Sequence, residues 1–382
     1  MTNRWRARLV LVAPILAAAI TTACSGGAGS APAGTAITLP GPGEAGTGTA
    51  ASSGPASTGS ATSASAWPIT LAFGGDVHFS DYVARLLDDP ATRMADLRPF
   101  LAGADVAMVN LETAITARGS EAPKEFHFRT TPAALSALKT TGVDVVTMAN
   151  NHAVDYGPLG LQDTLAAVGS SPVPVVGIGA DAAHAYAAAY LTVRGVRVAV
   201  LGATQVPDWT LATWSATASR PGVASAATPA RLAAAVRAAR ARADVVVVYL
   251  HWGTDYATCP NSLQQQTAKA LADAGADVVV GSHAHRLQAG GWLGRAYVDY
   301  GLGNFIWWRS RGQDAVTGVV TLTVDRPAGA ARAEVTKAAF APLTVSPDGL
   351  PRSGPAAATA AARTAWDHLR GCSGLSATPS NG

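Results

Sequence analysis

The chain has 382 residues, 48% of them apolar, and a formal charge of +3. Arg4, Arg6 and Arg8 account for that excess, and without them 25 basic residues balance 25 acidic ones. The charge tally therefore gives no argument for nucleic acid as a partner, and none is expected.

Residues 1–24 read as an export signal and not as fold. The three arginines precede an apolar stretch, Leu9 to Ile20, and then Thr-Thr-Ala-Cys, the order of a basic start, a short apolar core and small residues before a cut site. The apolar stretch is too short to span a bilayer comfortably. Cys24, followed by Ser-Gly-Gly, looks like the lipidated cysteine of a bacterial lipoprotein, although Thr21 stands where such signals usually carry an apolar residue. The expected location is the outer face of the cell membrane through this lipid anchor. Simple cleavage after Ala23, giving a secreted protein, is the alternative.

Residues 25–66 are almost wholly Gly, Ala, Ser, Thr and Pro, with Glu44 the single charge. Such a composition cannot bury enough apolar surface to offset its ordering entropy. It reads as a flexible tether with a root-mean-square span on the order of 35 Å. Residues 67–345 are expected to form the main domain and 346–382 a C-terminal extension tied back by Cys372. Cys259 and Cys372 are the two cysteines beyond Cys24; in an exported protein such a pair points to a disulfide in preference to a metal pair.

Within the domain a strand is predicted at Ile69–Gly74, followed by "GGDVHFS". One pattern then recurs four times, as "AGADVAMVNLET", "TGVDVVTMANNH", "ARADVVVVYLHWG" and "AGADVVVGSHAH". Each has an Asp (Asp105, Asp144, Asp244, Asp277), a Val-rich run and a polar exit. Continuous β-branched runs predict strands buried on both faces. Thr131-Pro132 and Thr228-Pro229 read as helix N-caps with a proline at the first helical position, and Gly142 and Gly275 as helix stops. Helix, turn, buried strand and loop, repeated, imply a layered α/β fold with a largely parallel core. Segments Ala296–Tyr300, Val316–Val324 and Arg332–Phe340 alternate more and predict further, partly antiparallel strands. The four aspartates are expected to be solvated turn residues.

The polar exits matter more, because ligands of such sheets bind outside the carboxyl ends of the strands. There lie Asp76 and His78, Asn110 and Glu112, Asn150, Asn151 and His152, His251, and His283 and His285: five of the eight histidines of the chain. Asp-x-His and His-x-His are expected to place two donors on one side of an extended chain. Imidazole with carboxylate and carboxamide oxygens suits Zn, Mn or Fe better than Ca or Mg. So many donors suit two divalent metals, which at about 4 Å apart clamp a phosphoryl group and supply a hydroxide nucleophile near neutral pH.

In order, "GDVHFS", "NLET", "ANNHAVDYG", "HWGTDY", "GSHAHRLQ" and "YGLGNFIW" resemble the motifs of the CapA family, implicated in poly-γ-glutamate capsule synthesis, which is similar to calcineurin-like metallophosphoesterases. The resemblance covers about residues 69–325 and implies that fold. It also implies that Asp76 and His78 ligate a first metal, with His285 returning to it, and that Asn151, His251 and His283 ligate a second. Glu112 stands where the superfamily has a bridging aspartate, and His152 where it has the residue that protonates the leaving group. Ala153 follows the Asn-His pair in place of an acid, with Asp155 two residues later as its substitute or a turn residue. Asp255 stands where the family more often has Glu.

Lys124 and Arg129 in "KEFHFRTTP", together with Asn110, Asp255 and Asn304, are the candidates for holding substrate. His127 is expected on a loop surface. Trp252, Trp307 and Trp308 are expected in packing and at the rim. The leading reading is a membrane-anchored, metal-dependent hydrolase acting on a phosphoester or a γ-glutamyl amide. Its expected partners are an anionic extracellular polymer or phosphoester substrate and capsule-synthesis membrane proteins. The alternative is a non-catalytic polymer-binding or assembly factor that retains the metal site.

Overall fold

The computed structural model of the protein describes residues 66–380. The export signal, Cys24 and the tether up to residue 65 lie outside the described residues.

The Val-rich runs form strands because each has apolar neighbours on both sides. In Val106–Leu111, Val106 and Met108 face a second sheet, whereas Ala107 and Val109 face helices. In Val245–Trp252, Val245, Val247 and Tyr249 enter the same inter-sheet core, and Val246, Val248 and Leu250 pack against helices on the outer face. Burial on both faces removes the reason for a polar alternation. Four layers result: helices including Ala133–Thr140 and Gly157–Gly169, two sheets face to face, and helices Ala230–Arg240 and Ser262–Ala274.

The first sheet runs in the order Pro351–Arg352, Glu334–Val345, Val316–Asp325, Ile69–Val77, Val106–Leu111, Val145–Thr147, Val175–Val176, and Asn304–Ile306 lies beside the end of Ile69–Val77. From Ile69–Val77 onward the pairing is parallel; toward the C-terminal strands it is antiparallel. The second sheet runs Gly290–Leu293, Ala296–Asp299, Val278–His283, Val245–Trp252, Val196–Thr204, Ala189–Val193, with a parallel centre and antiparallel edges. This is the expected α/β class of layered sheets flanked by helices, with partly antiparallel C-terminal strands.

Three local expectations change. The first strand extends to Val77 and so includes Asp76. The helices after Pro132 and Pro229 start one residue later than expected, with the prolines as caps and no side-chain cap bond. The four repeat aspartates are clamps between strands and not merely solvated turns. Asp105, Asp144, Asp244 and Asp277 each donate the backbone N–H to the neighbouring strand, at Thr70, Ala107, Arg197 and Val246. Each also accepts, on Oδ2, the amide of that same residue at 2.7–3.0 Å. The reason is that the first amides of a parallel ladder would otherwise lack partners. Pinning the strands at their starts aligns their exits: Asp76 pairs with Asn110 on one side and Asn304 on the other, and His251 with Ser282.

Close approach at the site end requires glycine. A Cβ on Gly75 would lie 1.9 Å from the carbonyl oxygen of Gly303, the oxygen that accepts the Asp76 N–H.

The C-terminal segment is held at two points. Trp366 of helix Ala356–His368 stacks on Phe340 with ring centroids 4.5 Å apart, and Cys259 is disulfide-bonded to Cys372, 113 residues away. A loop of that order constrains the unfolded chain by about 4–5 kcal/mol. Cys372→Ser is therefore expected to lower the unfolding free energy by about 4 kcal/mol in denaturant titration; a loss under about 1 kcal/mol would show that the bridge adds little to the packing of that helix.

Asp299 is fully buried, with Oδ1 accepting the Gly301 N–H at 3.1 Å and Oδ2 lacking a hydrogen-bond partner. Burial pushes its carboxyl well above the ordinary carboxylate range. The folded chain thus holds a proton that the unfolded chain releases. Stability from this group is complete at acid pH and declines as pH rises from the ordinary carboxylate range to the raised value. Asp299→Asn is expected to flatten that decline between pH 5 and 8 in urea unfolding; an unchanged slope would assign it elsewhere. Among the described residues, no helix is long and apolar enough to cross a membrane.

Candidate metal centre

Four strand ends and two loops supply the site. Asp76 lies near the end of the first strand, Asn110 near the end of the second with Glu112 just beyond it, His251 lies in Val245–Trp252, and His283 closes Val278–His283. Asn151 and His152 follow Val145–Thr147 in a turn. Asp76, His78, Glu112, His152, His251 and His283 are all buried.

The His-x-His pair does not converge through strand alternation as expected. His283 and His285 have φ of 101° and 53°, left-handed values that β-carbons disfavour and that tend to persist at functional sites. A turn brings the two imidazoles together, held by the His283 N–H donating to Asp76 Oδ2 at 2.9 Å and by His285 Nδ1 against Asn304 Oδ1 at 2.7 Å. Asp-x-His is likewise irregular, because the register shifts between Asp76 and Val77.

Two groups of ligand atoms result. One is Glu112, His251 and His283; the other is Asp255, His283 and His285; within each, the ligand atoms lie within 4.8 Å of one another. His283 is common to both. His251 Nε2 stands 3.4 Å from Glu112 Oε1 and 2.7 Å from Asn151 Oδ1, so Asn151 joins the first group. Asp255 Oδ1 stands 3.2 Å from His283 Nε2, beside imidazoles as well as beside the space for substrate.

Asp76 anchors the cluster through Oδ1, which accepts from Asn110 Nδ2 at 2.7 Å and faces His251 Nδ1 at 3.6 Å. Asn110 is thereby enclosed among site residues, with Asn150 Nδ2 donating to its Oδ1 at 3.0 Å. His78 lies flat on Phe128 with centroids 4.4 Å apart, and its Nδ1 accepts the Ser80 N–H at 3.1 Å. It falls outside both three-donor groups.

The electrostatics call for a cation. Both Glu112 oxygens are buried and accept no hydrogen bond among the described residues, and burial, reinforced by the Asp76 charge, raises its pKa. Burial would also raise the Asp76 carboxyl, but the adjacent His251 imidazole and the charge of His285 hold it below its ordinary range. Burial opposes a charge on His251, yet Glu112 and Asp76 push its pKa up to about 9. Burial keeps His78, His152 and His283 neutral, well below the usual imidazole value. A neutral His283, Glu112 oxygens without hydrogen-bond donors, and a His251 ring that these carboxylates draw toward positive charge fit a divalent metal.

Beside this cluster His152 Nδ1 and Asp155 Oδ2 are 2.6 Å apart, and the same oxygen accepts the Phe128 N–H at 2.7 Å. Burial pushes Asp155 up to about 7, against the pull of Lys124. His152 Nε2 faces Glu112 Oε1 at 3.8 Å. Lys124 does not project free toward a substrate: its Nζ is 2.6 Å from Asp155 Oδ1 and donates to the Asn151 carbonyl at 2.6 Å. Arg129 lies apart, with its guanidinium 4.8 Å from the Tyr156 ring centre. His127 is largely covered, its Nε2 2.7 Å from the Ala122 carbonyl. Asn304 holds His285, and Trp307 and Trp308 border the cleft beside it.

Sequence reasoning missed Phe128, whose ring lies 4.4 Å from His78 and 4.3 Å from His152, and Thr210, which donates to the Asn151 carbonyl at 2.6 Å. Phe128 sits next to the singled-out Arg129 and had that much signal. Thr210 had none.

Residues 70–308 match the family described as bacterial capsule synthesis protein PGA_cap. The PGA biosynthesis protein CapA of Bacillus subtilis is 33% identical over 252 residues, covering 64% of this chain and 65% of that protein. The capsule biosynthesis protein CapA of Bacillus anthracis is 32% identical, covering 62% of this chain and 59% of that one. A probable polyglutamine synthesis accessory protein of Mycobacterium tuberculosis is 37% identical, covering 47% and 50%. The chain thus spans less than two thirds of the length of these curated relatives.

Proposed function

The chain belongs to the bacterial capsule synthesis PGA_cap family, and from that premise we propose that it is a metal-dependent hydrolase of capsule or polyglutamate biosynthesis, acting on a phosphoester or a γ-glutamyl amide. One observation carries this reading: the buried, unpartnered Glu112 carboxylate and the neutral imidazole of His283 lie beside a His152–Asp155 pair. The donor set suits Mn, Zn or Fe, and two divalent ions are the proposed complement. When bound, such ions polarise a phosphoryl or carbonyl oxygen and activate water. Glu112, Asn151, His251, His283 and His285 would hold them, with Asp255 at the outer side. Asp155 holds His152 Nδ1, which leaves Nε2 as the atom that takes up a proton and passes it to a departing oxygen. Lys124 ties Asp155 to the Asn151 loop and fixes the distance between acid and metal ligand.

We further propose that Cys24 is lipidated and that the tether presents the domain at the outer face of the membrane, to an anionic extracellular polymer and to capsule-synthesis membrane proteins. The description of the mycobacterial relative as an accessory protein favours a second reading, a non-catalytic assembly factor with a retained metal site. One experiment separates the two. Metal bound to the full chain is measured by mass spectrometry, and bis(p-nitrophenyl) phosphate and a γ-glutamyl anilide are offered with added Mn. Metal with turnover supports the hydrolase. Metal without turnover of either bond supports the assembly factor, and a chain that binds no stoichiometric metal defeats both.

A further inference from the structure

A cleft of about 320 Å³ opens beside the metal-ligand cluster, with His152, His285 and Asn304 at its inner end and Phe126, Tyr256 and Trp308 toward solvent. Phe126 and Tyr256 are 52% and 58% exposed, two of only five large apolar side chains so exposed among the described residues. Tyr256 is held there at a cost, because its φ is 63°, a conformation that tends to persist where a ligand is clamped. Its N–H donates to the carbonyl of Ala284, between the two site histidines, at 2.8 Å. Exposed rings beside a polar inner end are the pattern of a small-molecule site.

The charges of the cleft argue against an extended polyanion. Arg309 is the one cation lining it, and its guanidinium already stands 3.3 Å from Asp81 and 4.0 Å from the Trp308 ring centre. Nearby Arg286 is 2.8 Å from Asp314. A chain of carboxylates would meet aromatic faces and spent guanidiniums. Nor do the inner rings form a slot for a flat base: Phe128 meets Trp307 and Trp308 at 82° and 90°. The exposed Phe126 and Tyr256 rings beside the Ser310 hydroxyl suit a ring with an apolar C–H face and polar edges.

We propose that this cleft binds the sugar ring of a glycosyl phosphate ester, with the phosphate toward His152 and His285. This rests on the hydrolase reading for the phosphate end and on the aromatic cleft alone for the ring. The test titrates the full chain, with Mn present, with glucose 1-phosphate, glycerol 3-phosphate, AMP and a γ-linked glutamate oligomer, read by tryptophan fluorescence. Glucose 1-phosphate is expected to bind about tenfold tighter than glycerol 3-phosphate, the worth of one or two ring contacts. Phe126→Ala and Tyr256→Ala are each expected to remove most of that margin with bound metal unchanged. Equal binding of the two phosphates, tighter binding of AMP or of the glutamate oligomer, or a margin that survives both substitutions would overturn the proposal. Because binding is read without turnover, a ring preference without hydrolysis leaves the cleft standing and removes the hydrolase. Hydrolysis without a ring preference does the reverse.

Discussion

Replacing His283 with alanine is expected to strip divalent metal from the full chain, lowering affinity by more than about 100-fold, beyond the usual effect of losing an outer-shell partner. His283 is shared by both three-donor groups, Glu112 with His251 and Asp255 with His285, so its loss removes an imidazole from each. The imidazole is also the hardest to replace by local movement. Its backbone is in the left-handed region and is anchored by the N–H bond to Asp76 Oδ2 at 2.9 Å. His184, an exposed residue paired with Asp181 at 2.8 Å, serves as the control, and His184→Ala should retain the wild-type metal content. A second readout does not require activity. Metal at a hundredfold excess over its Kd stabilises the fold by about 2.7 kcal/mol, so chelator should lower the melting temperature of the wild type on the order of 5 °C. The same chelator should leave His283→Ala unmoved. Full metal occupancy in the variant would remove the case for His283 as a metal ligand.

The strand exits were legible because both of their causes are local. A β-branched run long enough to be buried on both faces announces a strand, and polar residues at the end of such a run need a reason to be there. His251, at the end of "VVVVYLHW", is the clearest case. What could not be read is whatever depends on the path of loops between layers. Lys124 looked like a free cation for substrate, but its ammonium reaches the carbonyl of Asn151, 27 residues on. The His283–His285 pair looked extended, and only the turn geometry shows that two left-handed residues bring the rings together. The repeat aspartates read as solvated turn residues because an Asp before a strand usually is one. Their second role, accepting the first amide of the neighbouring strand, is a tertiary contact with no local signature. Asp255 reads as a substrate contact, and its approach to His283 has no local signature because it is made by the loop that also carries Tyr256.

His152→Ala is expected to lower hydrolysis of a phosphodiester by about 10²–10⁴-fold, the usual worth of a positioned proton donor, with metal content unchanged. Asp155→Asn is the sharper experiment, because the carboxylate has no neutral substitute in this setting. Its Oδ2 faces both His152 Nδ1, at 2.6 Å, and the Phe128 N–H, at 2.7 Å, while Oδ1 faces the Lys124 ammonium at 2.6 Å. An asparagine that keeps its oxygen toward His152 and Phe128 must point an amide N–H₂ at the ammonium. That would loosen Lys124 from the Asn151 loop. Turned the other way, it keeps Lys124 but sets its N–H₂ against the Phe128 N–H, displacing the side chain that aims His152, and it removes the carboxylate that favours a second proton on the ring. Either arrangement disturbs the acid or its distance from the metal ligands, so kcat should fall toward that of His152→Ala while KM moves little. The double variant should lose little more than either single one, because residues acting as a unit are not additive. A fully active Asp155→Asn would reduce the pair to a structural contact. Equal losses in all three variants, with metal retained, would make His152 the proton donor and Asp155 the group that aims it.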